Sequence, residues 1–206
     1  MQIATGTAAR VAELTQARQY LGPDVSLHGS LYSPEDYLID LMGADGAMIA
    51  LLTEPEQCRV LLDRFARAVA GHAREQIAAG ADALNASAPW SGQNFMSPQM
   101  YRELIAPAQA VLVRAACEGG VPSYCHTCGA IGDRLEAIID VGFNGIECLD
   151  PPPLGNVELA DAVRRIGHRA FIKGNIDPVH TLLRGTPAQV EADVIRRLEI
   201  GMTAPG

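Results

Sequence analysis

The sequence predicts an α/β fold: a (β/α)8 TIM barrel that is incomplete, with about five strands in the chain and strands missing at both ends. Three observations predict it. Helical segments that end at glycine alternate with short apolar runs, the rhythm of repeated αβ units around a parallel sheet. Polar or reactive side chains gather at the C-terminal ends of those runs, where parallel α/β folds place their sites. No glycine-rich dinucleotide or phosphate loop follows any run, which counts against the rival open, doubly wound sheet.

The elements follow in order. Residues 7–20 read as a helix, stopped before Gly22-Pro23. An apolar run at 25–28 precedes a helix over 34–42, with Ser33 as cap and Pro34 in the first turn. Pro55 opens a long helix, 55–79, in which Val60, Leu61, Phe65, Ala68 and Val69 recur at helical spacing up to Gly80. A strand at 83–86 is followed by a helix from Ser97-Pro98 to about Cys117, closed by Gly119-Gly120. Then come a strand at 121–126, a helix over 130–141 ended by Gly142, and a strand at 145–149. The Pro151-Pro152-Pro153 run stiffens the loop after it. A helix over 157–166, a strand at 170–173 and a helix from Thr186-Pro187 to about Ile200 complete the chain. The loop-like end at 203–206 falls where another strand is due, so the chain reads as one partial barrel domain, 1–206.

Composition bounds the function. The 206 residues are 48% hydrophobic, enough for a packed core, which excludes whole-chain disorder. Lys+Arg number 16 against 24 Asp+Glu, a net charge of −8, which is the wrong sign for a general nucleic-acid or anionic-membrane binder. No run approaches the ~18 apolar residues of a membrane span, and no secretory signal pattern opens the chain, so a cytoplasmic protein is expected. Five cysteines are too few, and odd in number, for a disulfide scaffold. Cys58 and Cys117 fall in helical patterns and read as buried structural residues.

The sharpest motif is Tyr124-Cys125-His126-Thr127-Cys128-Gly129. Alternation along a strand puts His126 and Cys128 on one side and Cys125 on the other. Imidazole and thiolate are preferred zinc ligands, and a catalytic zinc needs a third protein ligand and an open position. Cys148 and Glu147 on the next strand are the candidates; the side that faces the mouth decides between them. Such a zinc lowers the pKa of water or holds a substrate thiol as thiolate, and thiolate-rich ligation favours the second. No H-E-x-x-H is present, so ordinary metalloprotease chemistry has no support. Substrate-facing candidates are Asn85, Tyr124, Asn175, Asp177 and His28 near strand ends, with Trp90 as a pocket wall. His72, His168 and His180 read as surface residues.

Taken together, 80–82, 91–101, 125–129, 141–147, 150–155, 173–179 and 182–187 resemble the uroporphyrinogen decarboxylase superfamily in order and spacing, from about residue 24 onward. The resemblance implies a (β/α)8 barrel. The His-x-Cys-Gly pattern is similar to the zinc-dependent corrinoid and coenzyme M methyltransferase branch, which implies that His126 and Cys128 are zinc ligands. The branch's third ligand is a later cysteine, after a Gly-rich loop beyond residue 206. The implied activity is methyl transfer from a methyl-corrinoid protein to a thiol, with zinc as cofactor and the corrinoid on a partner protein. A uroporphyrinogen decarboxylase acting on a tetrapyrrole without a cofactor is the alternative. The third reading is a catalytically inactive fragment whose open strand edges self-associate. A homodimer is compatible with these readings; nucleic acid and membrane are not expected partners.

Overall fold

Residues 7–204 of the chain are described here in a computed structural model. Helix α1 (Thr7–Leu21) leads into β1 (His28–Tyr32), and three helices follow: α2 (Pro34–Met42), α3 (Ala44–Thr53) and α4 (Pro55–Ala78). After β2 (Ala83–Ser87), a helical rod runs through α5 (Pro98–Met100), a π-turn at Tyr101–Ile105 and α6 (Ala106–Glu118). Then come β3 (Ser123–Thr127), α7 (Leu135–Asp140), β4 (Gly145–Cys148), α8 (Leu159–Ile166) and β5 (Phe171–Gly174). A second π-turn (Pro178–Leu183) and α9 (Pro187–Gly201) follow. The five strands form one parallel sheet in the order β1-β2-β3-β4-β5, and the barrel does not close.

Local chemistry explains the elements. The Ser33 N–H donates to Asp36 Oδ2 (3.1 Å) at the start of α2, and Met100 N–H donates to Ser97 Oγ (3.1 Å) at the start of α5. Thr186 and Gln189 make the reciprocal bonds of a capping box at α9. The π-turn has a covalent cause: Pro107 has no N–H to continue the ladder, and the Ala106 N–H reaches back to the Tyr101 carbonyl instead. Gly120 and Gly142 leave their helices at φ +73° and +111°, a conformation that costs a side chain dearly.

The core lies between the sheet's outer face and the helices. Leu31, Leu84, Cys125 and Ile146 point outward and are buried against residues such as Leu38, Leu62, Phe65, Leu112 and Ile138. The other face lines the half-barrel lumen. Register puts Ser30, Asn85, Tyr124, Gly145 and Phe171 in one layer, and Tyr32, Ser87, His126, Glu147 and Lys173 in the layer nearer the mouth. Gly145 makes room for a neighbour: a Cβ there would meet the Phe171 ring at 2.5 Å. Among the described residues no helix is long and apolar enough to cross a membrane.

Three expectations shift. The first strand begins at His28 rather than Val25, because its inner face is polar and its apolar signal is confined to Leu31. Helix α3 was not anticipated: Gly43 and Gly46 interrupt a stretch with no clear apolar stripe. The helix expected over 130–141 starts only at Leu135. Before that, backbone groups are committed elsewhere: Ala130 O accepts from Gln93 N–H (2.7 Å), and Gly132 N–H donates to Asn156 Oδ1 (2.8 Å).

Candidate metal centre

Strands β3 and β4 bring three soft or borderline donors to the mouth. A ring nitrogen of His126 and the sulfurs of Cys128 and Cys148 all lie within 4.8 Å of one another. His126 Nε2 is 3.5 Å from Cys128 Sγ, and Nδ1 is 3.5 Å from Cys148 Sγ. Strict alternation would turn Cys148 outward with Ile146. Instead Cys148 and Leu149 adopt φ +80° and +52°, and this left-handed turn aims the thiol at His126.

The surroundings orient the donors. Glu147 Oε1 accepts from His126 Nδ1 (2.9 Å), and Lys173 Nζ donates to Glu147 Oε2 (2.5 Å). Burial raises the Glu147 pKa, but bonds from Lys173 and His126 outweigh it and hold the carboxyl below its usual range. The Cys128 thiol is pulled down to about 5 by hydrogen bonds from Cys148 and His126, and His126 is raised to about 9, first by its bond to Cys128 and then by Glu147. The Cys148 thiol is pushed up because it donates to Cys128. A thiolate, an oriented imidazole and a second sulfur are a donor set that suits zinc.

The family model for uroporphyrinogen decarboxylase (URO-D) matches residues 5–206. The chain belongs to the uroporphyrinogen decarboxylase family. Within that family it is 28% identical over 191 residues to the methylcobamide:CoM methyltransferase MtaA of Methanosarcina barkeri, covering 92% of the chain and 54% of the relative. It is 30% identical over 197 residues to the uroporphyrinogen decarboxylase of Sodalis glossinidius, covering 92% and 52%. A methyltransferase structure from Methanosarcina mazei shares the fold with a TM-score of 0.84 at 24% identity, over 94% of this chain and 56% of that one. The chain thus spans about half the length of the relatives it matches.

The other anticipated residues divide. Asn85 and Tyr124 share a lumen layer below His126. Trp90 packs against Phe95 at 4.8 Å, on a loop that borders the metal centre: the side chain missing from Gly92 would meet Cys128 O at 3.2 Å. His28 is corrected. It opens β1 rather than ending it, so it sits at the opposite end from the mouth, where Nδ1 bonds Tyr124 Oη (2.9 Å). Asn175 is also corrected: it is buried and donates to Leu149 O (2.8 Å) and Val157 O (3.0 Å), holding the β4 exit loop. Asp177 is taken up in capping the turn after β5, accepting from the Val179 and His180 N–H groups and, through Oδ2, from the His180 ring. Cys58 is buried as expected; Cys117 is exposed.

Sequence reasoning missed Lys173 as the partner of Glu147, and the acidic pair Glu35 and Asp36 beneath the mouth. Glu35 is fully enclosed and accepts from Ser33 Oγ (2.5 Å), Ser91 Oγ (2.6 Å) and Gln109 Nε2 (2.8 Å). Burial, then the charge of Glu35, pushes Asp36 up to about 8. A carboxyl raised in the fold binds a proton that the unfolded chain has lost, so its contribution is full below pH ~4 and is lost as pH rises through about 8. Asp36→Asn is therefore expected to flatten the fall in melting temperature between pH 5 and 8, a range in which wild type loses about 1 kcal/mol per pH unit.

Proposed function

We propose that this chain carries the metal-binding part of a zinc-dependent methyltransferase that moves a methyl group from a methylated corrinoid protein to a small thiol. The convergence of His126, Cys128 and Cys148 at the mouth carries the reading. The likeness to MtaA supports it. A bound zinc ion supplies a positive centre on which a thiol substrate stays deprotonated at neutral pH.

The residues have distinct tasks. Cys128 offers a sulfur whose thiol is pulled down by its neighbours, so a metal meets little competition from protons for it. Glu147 accepts a hydrogen bond from His126 Nδ1–H, which fixes the ring and leaves Nε2 as the donor; Lys173 keeps that carboxylate charged. Asn85, Tyr124 and Trp90 would meet the substrate in the lumen and at its rim. Glu147→Gln is expected to weaken zinc binding about 10-fold in competition with a coloured chelator, because the ring loses its charged anchor.

The reading is tested on the full-length protein with methylcobalamin as donor and simple thiols as acceptors. Zinc-dependent loss of the methylcobalamin spectrum, with thioether formed, is expected. The relatives that are decarboxylases favour a second reading, carbon dioxide release from uroporphyrinogen without a metal. That chemistry leaves the thiolate cluster without a task, and CO₂ release unaffected by Cys128→Ser would establish it in place of methyl transfer.

A further inference from the structure

We propose that Cys128 and Cys148 are an oxidant-sensitive pair, which a peroxide converts to a disulfide, dismantling the donor set. This goes beyond methyl transfer and rests on placement. Cys148 ends β4 and Cys128 directly follows the last residue of the neighbouring parallel strand β3, one residue out of register, since Thr127 is the partner of Cys148. Their sulfurs lie within 4.8 Å. Cys128 is exposed, Cys148 is half-buried, and Cys125 is buried on the sheet's other face.

The left-handed turn at Cys148 and Leu149 is the second observation. Backbone in this region is unfavourable for side-chain-bearing residues and persists where packing enforces it. Here β5 lies against it: a Cβ on Gly174 would meet Cys148 O at 2.4 Å, so the neighbouring backbone sits directly on that carbonyl. The turn's effect is to bring one thiol to the other.

The chemistry balances. The Cys128 thiolate attacks one oxygen of hydrogen peroxide, the O–O bond breaks, and Cys128 sulfenic acid forms while the departing hydroxide takes a proton to become water. The Cys148 sulfur attacks the sulfenic sulfur, the S–O bond breaks, and a second water leaves with the Cys148 proton. Two electrons pass from the two sulfurs to the peroxide oxygens. His126 is then the one donor left of the three, and a single imidazole does not retain the ion. A dithiol reductant reverses the reaction.

The test treats the zinc-loaded and the metal-free chain with hydrogen peroxide. Non-reducing peptide mass spectrometry reads the cross-link, and a coloured chelator reads released zinc. The expected result is a Cys128–Cys148 linked peptide in both samples, faster without metal. Zinc should leave in step with it and be regained after dithiothreitol and fresh zinc. Cys148→Ser should stop at a Cys128 sulfenic acid that dimedone traps. Cys128 proceeding to sulfinic acid while Cys148 stays reduced, or pairing with Cys58, Cys117 or Cys125, overturns the proposal. A chain that takes up no zinc defeats the methyl-transfer reading, while the metal-free sample still decides this one.

Discussion

Replacing His126 with alanine is expected to lower zinc affinity by ~100-fold or more, and Cys128→Ser to do the same. Structural zinc sites with four protein ligands are worth about 10–16 kcal/mol, on the order of 3 kcal/mol per donor, and loss of one of three donors here is on that scale. Loss of the His126 ring also strands Glu147, whose carboxylate keeps Lys173 but loses the imidazole. Elemental analysis after dialysis reads the effect: near-stoichiometric zinc in wild type and little in either variant. Cys125→Ala is the control. Its sulfur is buried on the helix side of β3, one residue from His126 but across the sheet, so zinc content should hold. Equal zinc in wild type and His126→Ala would refute the site.

The second large effect is on stability. Arg134 is fully buried, an uncommon state for a guanidinium. It donates to Ser91 O and Met96 O (both 2.9 Å) and to Asp133 Oδ1 (2.7 Å), and lies over the Tyr101 ring at 5.9 Å. These contacts tie the loop after β2 to the start of α7. The same loop presents Ser91 to Glu35, and Tyr101 donates to Gln109, another Glu35 partner. Arg134→Leu removes the charge and leaves two buried carbonyls unpaired, a loss of about 3–5 kcal/mol. For a domain of this size that is a fall of about 10 °C in melting temperature. The exposed pair of Arg74 and Glu118, 3.1 Å apart, gives the contrast: Arg74→Ala should cost under about 1 kcal/mol. Differential scanning calorimetry separates the two.

What could be read from the sequence follows from where its information is local. The His126 and Cys128 pair was legible because two reactive side chains two residues apart share a face wherever the chain is extended, and the apolar run before them reads as a strand. The helices opened by Ser33-Pro34, Pro55 and Thr186-Pro187 were legible because caps and proline act within one turn. The (β/α) rhythm showed through glycine stops and apolar runs. The decision between Cys148 and Glu147 was not legible. Alternation assigns them to opposite faces, with Glu147 on the mouth side beside His126, and the left-handed turn at Cys148 and Leu149 that brings Cys148 there as well leaves no local sequence signal. Arg134 and Glu35 were invisible for a related reason: a charged residue reads as solvated until a fold encloses it and supplies its partners. Asn175 and Asp177 were misplaced because polar residues after a strand satisfy backbone groups as readily as they face a mouth.

The strand order has a kinetic consequence. Each strand pairs with the one made just before it, so no strand must be inserted between two that are already joined. The pairings span unequal lengths of chain, 55 residues from His28 to Ala83 but 21 from Tyr124 to Gly145, so loop-closure entropy is smaller at the β3–β4 step than at the β1–β2 step. A nascent chain emerging from the ribosome can therefore add one βα unit at a time to a growing edge. His126 and Cys128 come out before Cys148, so the third donor joins the other two only when β4 docks on β3.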